Sequence, residues 1–274
     1  MIDKNIFNYI NNVLDDLEDE FGINILYAVE SGSRAWGFDN KYSDYDIRFI
    51  YKKPLEDYLT IHPVRDVIDY NNLKDRKYDY PLDFSGWDVR KSLQLYYKNN
   101  PNLREWIESP IVYRGDSEDI FKGLPGFSKV VLCNHYSSMA VTTFNRYLKS
   151  TVFDDLYIKK QLYVIRCILS WVLIKECDVY PPINIYDLLK HSGIKKNIWG
   201  AVLDNIYSLL KYYRGGGCNG DGSVNDCIIY LNNQFIEPYI SALTVAVPKN
   251  INNNSNGDDN PYLIYDDCFR SLIL

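Results

Sequence analysis

ESGSRAWGFDNKYSDYDIRF, residues 30–49, contains a Ser-Gly-Ser turn followed by two aspartates, Asp44 and Asp46, with one residue between them. The segment DYDIRFIYKK alternates polar and apolar residues and predicts a β-strand, in which residues two apart project to the same face. Two carboxylates on one face repel each other unless a cation lies between them. A strand that ends in a Gly-Ser turn offers backbone N–H groups to an anion, most naturally a phosphate. The stretch therefore predicts a site for divalent ions and a triphosphate.

The composition is that of an ordinary globular protein, with 46% hydrophobic and 24% charged residues, and the length of 274 residues predicts two domains. No apolar run is long enough to span a bilayer, and the acidic, amphipathic N-terminus is neither a signal peptide nor a transit peptide. The six cysteines are scattered, without a CxxC pair or a Cys/His cluster, so we expect reduced thiols and no zinc. These features predict a cytoplasmic protein with no membrane partner.

The net charge of −6 gives the chain no global attraction for nucleic acid. A local basic groove in the first half of the chain remains a hypothesis. Its candidate residues are Lys52, Lys53, Arg65, Arg76, Lys77, Arg90 and Lys91.

Helical and strand patterns are mixed in the first 125 residues, whereas the patterns that follow are helical. A helix over NIFNYINNVLDDLEDEFG ends at a glycine, and INILYAVES is typical of a buried strand. VRDVIDYN and YDYPLDFSG predict two further strands, and PIVYRG predicts another after two helical segments. We therefore expect an α+β protein, with a catalytic domain over residues 1–125 and an all-helical domain over residues 126–274.

A two-metal site needs a third carboxylate from a neighbouring strand, and the segment YPLDFSGWD offers two candidates, Asp83 and Asp88. Asp83 lies within the strand-like PLDF, on a strand predicted to lie beside the first pair of aspartates, and is the preferred choice. Asp88 stands where a helix should begin and fits an N-cap or first-turn position.

These motifs also carry a resemblance to a known family. Gly32-Ser33, ten further residues and then DYDI resemble the G-S-x(n)-D-h-D-h signature of the DNA polymerase β nucleotidyltransferase superfamily. The blocks SGSRAWGF, SDYDIRFIY, LDFSGWDVRKSL, NPNLREWIESPIVY, HYSSMA and LYVIR, in this order from about residue 26 to 240, are similar to the YcgL-type predicted nucleotidyltransferases. The resemblance implies a small mixed sheet with flanking helices, followed by a helical domain that closes one wall of the cleft.

The resemblance also implies roles for particular residues. Asp44, Asp46 and Asp83 are expected to bind two Mg²⁺ or Mn²⁺ ions. Gly32 and Ser33 are expected to contact the β- and γ-phosphates of an NTP, through a backbone N–H and a hydroxyl respectively.

Six further residues are candidate nucleotide contacts, each with a structural alternative. Arg34 and Arg48 could instead pair with the acidic groups. His135 could be an ordinary structural histidine, and the helical face of KKQLYVIR could be a plain helix surface with a buried tyrosine. The six are Arg34, Arg48, His135, Lys160, Tyr163 and Arg166.

The resulting hypothesis is an enzyme, a metal-dependent nucleotidyltransferase that moves NMP from an NTP to an acceptor hydroxyl and releases pyrophosphate. The resemblance favours an RNA 3′ end as the acceptor, in repair or tailing of RNA such as tRNA. A protein hydroxyl and a small molecule such as an aminoglycoside are the alternative acceptors. A non-catalytic nucleotide- or RNA-binding protein is the alternative from another class, although all three candidate metal carboxylates are present.

Overall fold

The computed structural model describes residues 3–62, 64–71, 81–198, 200–216, 223–246 and 262–274. It divides into two compact units. The first unit contains the chain up to Ala35, then Asp44–Phe127 and the C-terminal helix, and the second contains Trp36–Ser43 and the chain from Ser128 onward until that last helix.

The first unit is built on a five-stranded sheet with helices on both sides. Its helices, numbered in chain order, are α1 (Lys4–Phe21), α2 (Gly32–Trp36, which ends at the first residue of the second unit), α3 (Leu55–Tyr58), α4 (Val89–Tyr97), α5 (Pro101–Ile107) and α6 (Glu118–Phe121). Its strands are β1 (Asn24–Glu30), β2 (Tyr45–Lys52), β3 (Val67–Asn71), β4 (Leu82–Asp88) and β5 (Val112–Arg114).

The sheet is mixed, with the strand order β3-β4-β2-β1-β5. Strands β2 and β4 are parallel, whereas the other neighbouring pairs are antiparallel. The predicted position of the YPLDFSGWD strand beside the DYDIRF strand is therefore confirmed. So is the α+β fold class, because the part of the chain that follows is helical.

Alternation along β2 separates the core from the polar face, as the sequence predicts. Tyr45, Ile47 and Phe49 are buried in one apolar cluster with residues of α1, whereas Asp46 and Arg48 between them are partly exposed. A second cluster on the other side of the sheet joins β1 and β2 to α4 and α5. One detail of the prediction is wrong: β2 begins at Tyr45, so Asp44 lies just before the strand and is exposed.

The second unit is helical. Its helices are α7 (Lys129–Tyr147), α8 (Asp155–Cys177), α9 (Ile185–Lys190), α10 (Ser192–Asn197), α11 (Gly200–Lys211), α12 (Ser223–Leu231) and α13 (Glu237–Ala246), with π-helical segments at Tyr212–Gly216 and Asn232–Ile236. Among the helices that the structure describes, none is both long enough and apolar enough to cross a membrane.

The C-terminal helix α14 (Leu263–Ile273) departs from the predicted division at residue 125, because it belongs to the first unit. Its Phe269 ring lies edge-on to Tyr58 with centroids 5.3 Å apart, and Lys52 donates a hydrogen bond of 2.8 Å to the carbonyl of Leu272. One face of the helix packs on the second apolar cluster of the first unit, through Tyr265, Cys268, Phe269, Leu272 and Ile273. The helical spacing of these residues is a local signal for a packed face, but no local pattern specifies the part of the chain on which that face packs.

Candidate active site

The turn after β1 brings the backbone close to Asp46. Gly32 begins α2 with φ of +62°, and a Cβ atom at this position would collide with the Oδ2 atom of Asp46. The amide of Ser31 also donates a hydrogen bond of 2.8 Å to the carbonyl of Asp46. A glycine is therefore required by both the backbone conformation and the space. The predicted phosphate contact of Ser33 stays a prediction, and the structure buries this residue at the start of α2.

Asp46 and Asp83 occupy paired positions on the two parallel strands. Their Cα atoms are register partners between β2 and β4. Arg48 lies two residues after Asp46 on the same face, and its Nη2 atom bonds to Asp46 Oδ1 at 3.0 Å and to Asp83 Oδ2 at 2.8 Å. Of the two interpretations of Arg48, the structure shows the ion pair with the carboxylates.

The carboxylates of this set are donors of the type that suits a hard divalent cation, although Arg48 holds Asp46 and Asp83. Asp46 and Asp83 present carboxylate oxygens to one point, and oxygen ligands are those that Mg²⁺ and Mn²⁺ prefer. Asp44 is exposed just before β2 and offers a third carboxylate. Within the described ranges, however, no three His, Cys, Asp or Glu side chains are grouped so that they could hold a metal ion. Metal binding by this set therefore belongs to the proposal below.

Asp88 has the helix-capping position that the sequence predicts. Its Oδ1 atom accepts a hydrogen bond of 2.8 Å from the amide of Arg90 in the first turn of α4, and its Oδ2 atom accepts one of 2.9 Å from the hydroxyl of Tyr58. Burial raises the pKa of this carboxyl, and the two hydrogen bonds oppose the rise. The N-cap prediction is confirmed, and Asp88 lies at the opposite end of β4 from Asp83.

Glu30 is the residue at this site that sequence reasoning missed. It is fully buried at the end of β1, where one carboxyl oxygen accepts a hydrogen bond of 2.9 Å from the amide of Asp46 and the other accepts one from the hydroxyl of Tyr113. Burial raises the pKa of Glu30 to about 7, against the two hydrogen bonds and the nearby Arg34, while the charge of Asp46 adds to the rise. The sequence signal that could have identified Glu30 is a charged residue at the end of an otherwise apolar strand.

Arg34 packs against the start of β2. Its Nε atom donates a hydrogen bond of 3.1 Å to the carbonyl of Asp44, and its guanidinium lies 3.7 Å from the ring centroid of Tyr45. These contacts brace the segment that carries the two aspartates. The predicted phosphate contact of Arg34 is not tested by them.

Within the second unit, Lys160 and Tyr163 line one pocket of about 350 Å³. Trp36 and Tyr163 place their ring centroids 5.2 Å apart, and Lys160 lies 4.9 Å from the ring centroid of Tyr147. Burial lowers the pKa of Lys160, as do the nearby charges of Lys159 and Arg146. The pocket thus combines cations with aromatic rings. Its other lining residues are Phe38, Met139, Thr142, Thr143, Arg146 and Lys159.

Two of the candidate nucleotide contacts in the second unit do not line this pocket. Arg166 is only 1% exposed, and its Nε atom donates a hydrogen bond of 2.9 Å to the carbonyl of Ile183. Its guanidinium lies 5.0 Å from the ring centroid of Trp36, so the residue acts in the core of the unit. His135 lies on α7 with its ring edge-on to Tyr136, at 5.5 Å between centroids.

The hypothetical basic groove is not a continuous positive surface among the described residues. Lys53, Arg90 and Lys91 line a pocket that also contains three carboxylates, and Lys91 pairs with Asp66 at 3.1 Å. Arg65 pairs with Asp69, and Lys52 bonds to the backbone of α14. The charges are therefore largely compensated. Arg76 and Lys77 lie outside the described residues.

Comparison with known proteins identifies the family of this chain. The sequence model of the RlaP family, described as the RNA repair pathway DNA polymerase beta family, matches residues 6–244. A Bacillus subtilis (strain 168) relative named "Uncharacterized protein YcgL" is 40% identical over 184 residues, which cover 65% of this chain and 67% of the relative. A solved structure of a nucleotidyltransferase-like protein from Exiguobacterium sibiricum 255-15 aligns with 91% of this chain and 83% of that chain, at 8% identity and a TM-score of 0.33. The predicted resemblance is confirmed: the chain belongs to the RNA repair pathway DNA polymerase beta family.

Proposed function

We propose that the protein is a metal-dependent nucleotidyltransferase that transfers NMP from an NTP to the 3′ hydroxyl of an RNA and releases pyrophosphate. The observation that carries the proposal is the register pairing of Asp46 with Asp83, with the glycine of the G-S turn packed against Asp46. This arrangement supports a common site for Gly32, Asp46 and Asp83. Membership in an RNA repair family supports the choice of RNA as the acceptor.

In this proposal Asp44, Asp46 and Asp83 would hold two divalent ions, Mg²⁺ or Mn²⁺. Such ions neutralise the charge that develops when a phosphoryl group is transferred. Asp46 or Asp83 would accept the proton of the attacking hydroxyl, since a carboxylate within hydrogen-bond reach can act as a general base. Gly32 lets the backbone of the G-S turn lie close to the Asp46 carboxylate, because a Cβ atom there would collide with Oδ2, and the proposed phosphate contact would therefore lie beside a proposed metal ligand.

The cationic and aromatic pocket of the second unit would bind the nucleotide. Lys160 would contact the triphosphate, and Tyr163 would stack against the base, since aromatic faces stack on every base. That the helical unit closes the nucleotide cleft stays a prediction, as do the predicted contacts of Arg34, Arg48, His135 and Arg166 with the nucleotide.

Label transfer tests the proposal directly. The purified protein is incubated with Mg²⁺ or Mn²⁺ and each α-labelled NTP, separately with total RNA, with tRNA and with no acceptor, beside an Asp44→Ala/Asp46→Ala double variant. We expect label on RNA that depends on the metal and disappears in the double variant, and the preferred NTP identifies the added base. Label on the protein itself would indicate that the acceptor is a protein hydroxyl and not an RNA. NTP binding without any transfer of label would contradict both an RNA acceptor and a protein acceptor.

A further inference from the structure

Arg48 makes four polar contacts at the centre of the candidate site. Its Nη2 atom bridges the carboxylates of Asp46 and Asp83. Its Nη1 atom donates hydrogen bonds of 3.0 Å to the carbonyl of Ile47 and 3.1 Å to the carbonyl of Asp83. The guanidinium is thus held by backbone and side-chain acceptors from both strands, and only 19% of the side chain is exposed.

The guanidinium of Arg48 places a positive charge between the carboxylates of Asp46 and Asp83. A guanidinium stays protonated in proteins, and its planar fork matches carboxylate oxygens. The charge lies within 3.0 Å of an oxygen of each carboxylate. Without it, two carboxylates in register on adjacent strands would repel each other. Arg48 therefore does for Asp46 and Asp83 what a bound cation would do.

A divalent ion that bridges the same two carboxylates would stand next to this guanidinium. Two cations a few ångströms apart repel each other in a partly buried site, and this repulsion is similar in size to the attraction that the ion gains from one carboxylate at the same distance. Asp46 Oδ1 and Asp83 Oδ2 are already engaged by Arg48. An ion that takes these two oxygens as ligands must therefore displace the guanidinium from them.

We propose that Arg48 is the resident counter-cation of the metal site, which holds Asp46 and Asp83 together in the metal-free protein and competes with the divalent ion for them. The inference rests on the proposed function, since it concerns the same ligands. Because Arg48 competes for the two carboxylates, the site should bind free metal weakly. A triphosphate that enters with its own metal brings the negative charge that offsets both cations.

Titration with Mn²⁺, followed by the loss of the free-ion EPR signal, tests the inference without any turnover. The variants are Arg48→Gln, which removes the positive charge, and Arg48→Lys, which keeps the charge but lacks the planar guanidinium that bonds to both carboxylates. Arg65→Gln is the matched control, since it removes a cation from an exposed pair of the same unit. We expect Arg48→Gln to bind Mn²⁺ at least about tenfold more tightly than the wild type, Arg48→Lys to lie between them, and Arg65→Gln to match the wild type.

Thermal unfolding supplies a second measurement. Arg48→Gln should unfold at a lower temperature than the wild type in the absence of metal, and added Mn²⁺ should raise its melting temperature more than it raises that of the wild type. Arg48→Lys keeps the charge in place and reports on competition even where Arg48→Gln folds poorly.

The outcomes separate the two proposals. Equal or weaker Mn²⁺ binding by Arg48→Gln, while Asp46→Asn abolishes binding, would overturn the counter-cation role and leave the nucleotidyltransferase proposal intact. Absence of Mn²⁺ binding by every variant, with and without NTP, would overturn both.

Discussion

Asp46 and Asp83 lie directly opposite each other in the parallel pairing of β2 and β4, and one guanidinium, that of Arg48, bonds to both carboxylates. The pairing depends on where β4 enters the sheet, between β2 and β3. It brings a carboxylate from a separate segment of the chain to the D-h-D motif.

Replacing Asp44 or Asp83 by asparagine should reduce NMP transfer by at least about a hundredfold, because the amide keeps the shape but loses the charge that a divalent ion needs. Asp44 is exposed, so Asp44→Asn should change the free energy of unfolding by less than about 0.5 kcal/mol. Rates of label transfer and urea denaturation measure the two effects. Asp19→Asn, at an exposed position on α1, is the control. Full activity of Asp44→Asn would remove this residue from the site.

Gly32→Ala should damage the site more than the fold. The new Cβ atom collides with the carboxylate of Asp46, which must rotate away from Arg48, and φ of +62° adds about 1–2 kcal/mol of backbone strain. Gly22→Ala is the matched control, since Gly22 has φ of +59° and its new Cβ atom would have no atom of the described residues within 4 Å.

Gly32→Ala should therefore lose more stability than Gly22→Ala in urea denaturation, because it adds the collision with Asp46 to the backbone strain, and only Gly32→Ala should lose label transfer and Mn²⁺ binding. Equal activity of the two variants would show that Asp46 has room to accommodate the methyl group.

Glu30→Gln should remove a pH dependence from the stability of the metal-free protein. The folded carboxyl has a pKa of about 7 and the ordinary value is 4.5, so between these values the folded state keeps a proton that the unfolded state has lost. Stability therefore falls as the pH rises through this window, by about 3 kcal/mol when the whole interval is crossed. Glutamine keeps an acceptor for the amide of Asp46 and has no charge to bury.

Urea denaturation at pH 4.5 and pH 8 measures this effect. The wild type should lose more stability than Glu30→Gln over that interval, whereas Glu20→Gln, at an exposed position on α1, should follow the wild type. Parallel profiles of wild type and Glu30→Gln would contradict the raised pKa.

Lys160→Gln should raise the KM for NTP about tenfold with a small change in kcat, because the variant loses a cation in the pocket with Tyr163 but none of the metal carboxylates. Lys195→Gln is the control, since Lys195 is exposed on α10. Steady-state rates of label transfer over a range of NTP concentrations measure both constants. An unchanged KM would remove the pocket from nucleotide binding.

Local patterns in the sequence were sufficient for several features. The alternation of β2, the strand that carries Asp83 and the capping of α4 by Asp88 follow from residue types within a few positions of each other, and the structure confirms them. The burial of Glu30 and of Arg166 did not follow, because each charged side chain is buried by elements distant in the chain. Trp36–Ser43 belongs to the helical unit for a similar reason, since the ring of Trp36 packs on Tyr163.

The sequence by itself determined the proposed residues of the active site: the D-h-D carboxylates, the glycine before them and the strand aspartate that follows. These depend on side-chain type and on the two-residue period of a strand, both of which are local. Only the tertiary structure decided that Arg48 bridges two of the carboxylates and that Glu30 holds the amide of Asp46. Such contacts arise from the pairing of β1, β2 and β4, which join segments far apart in the chain, and no local pattern specifies the partner of a strand.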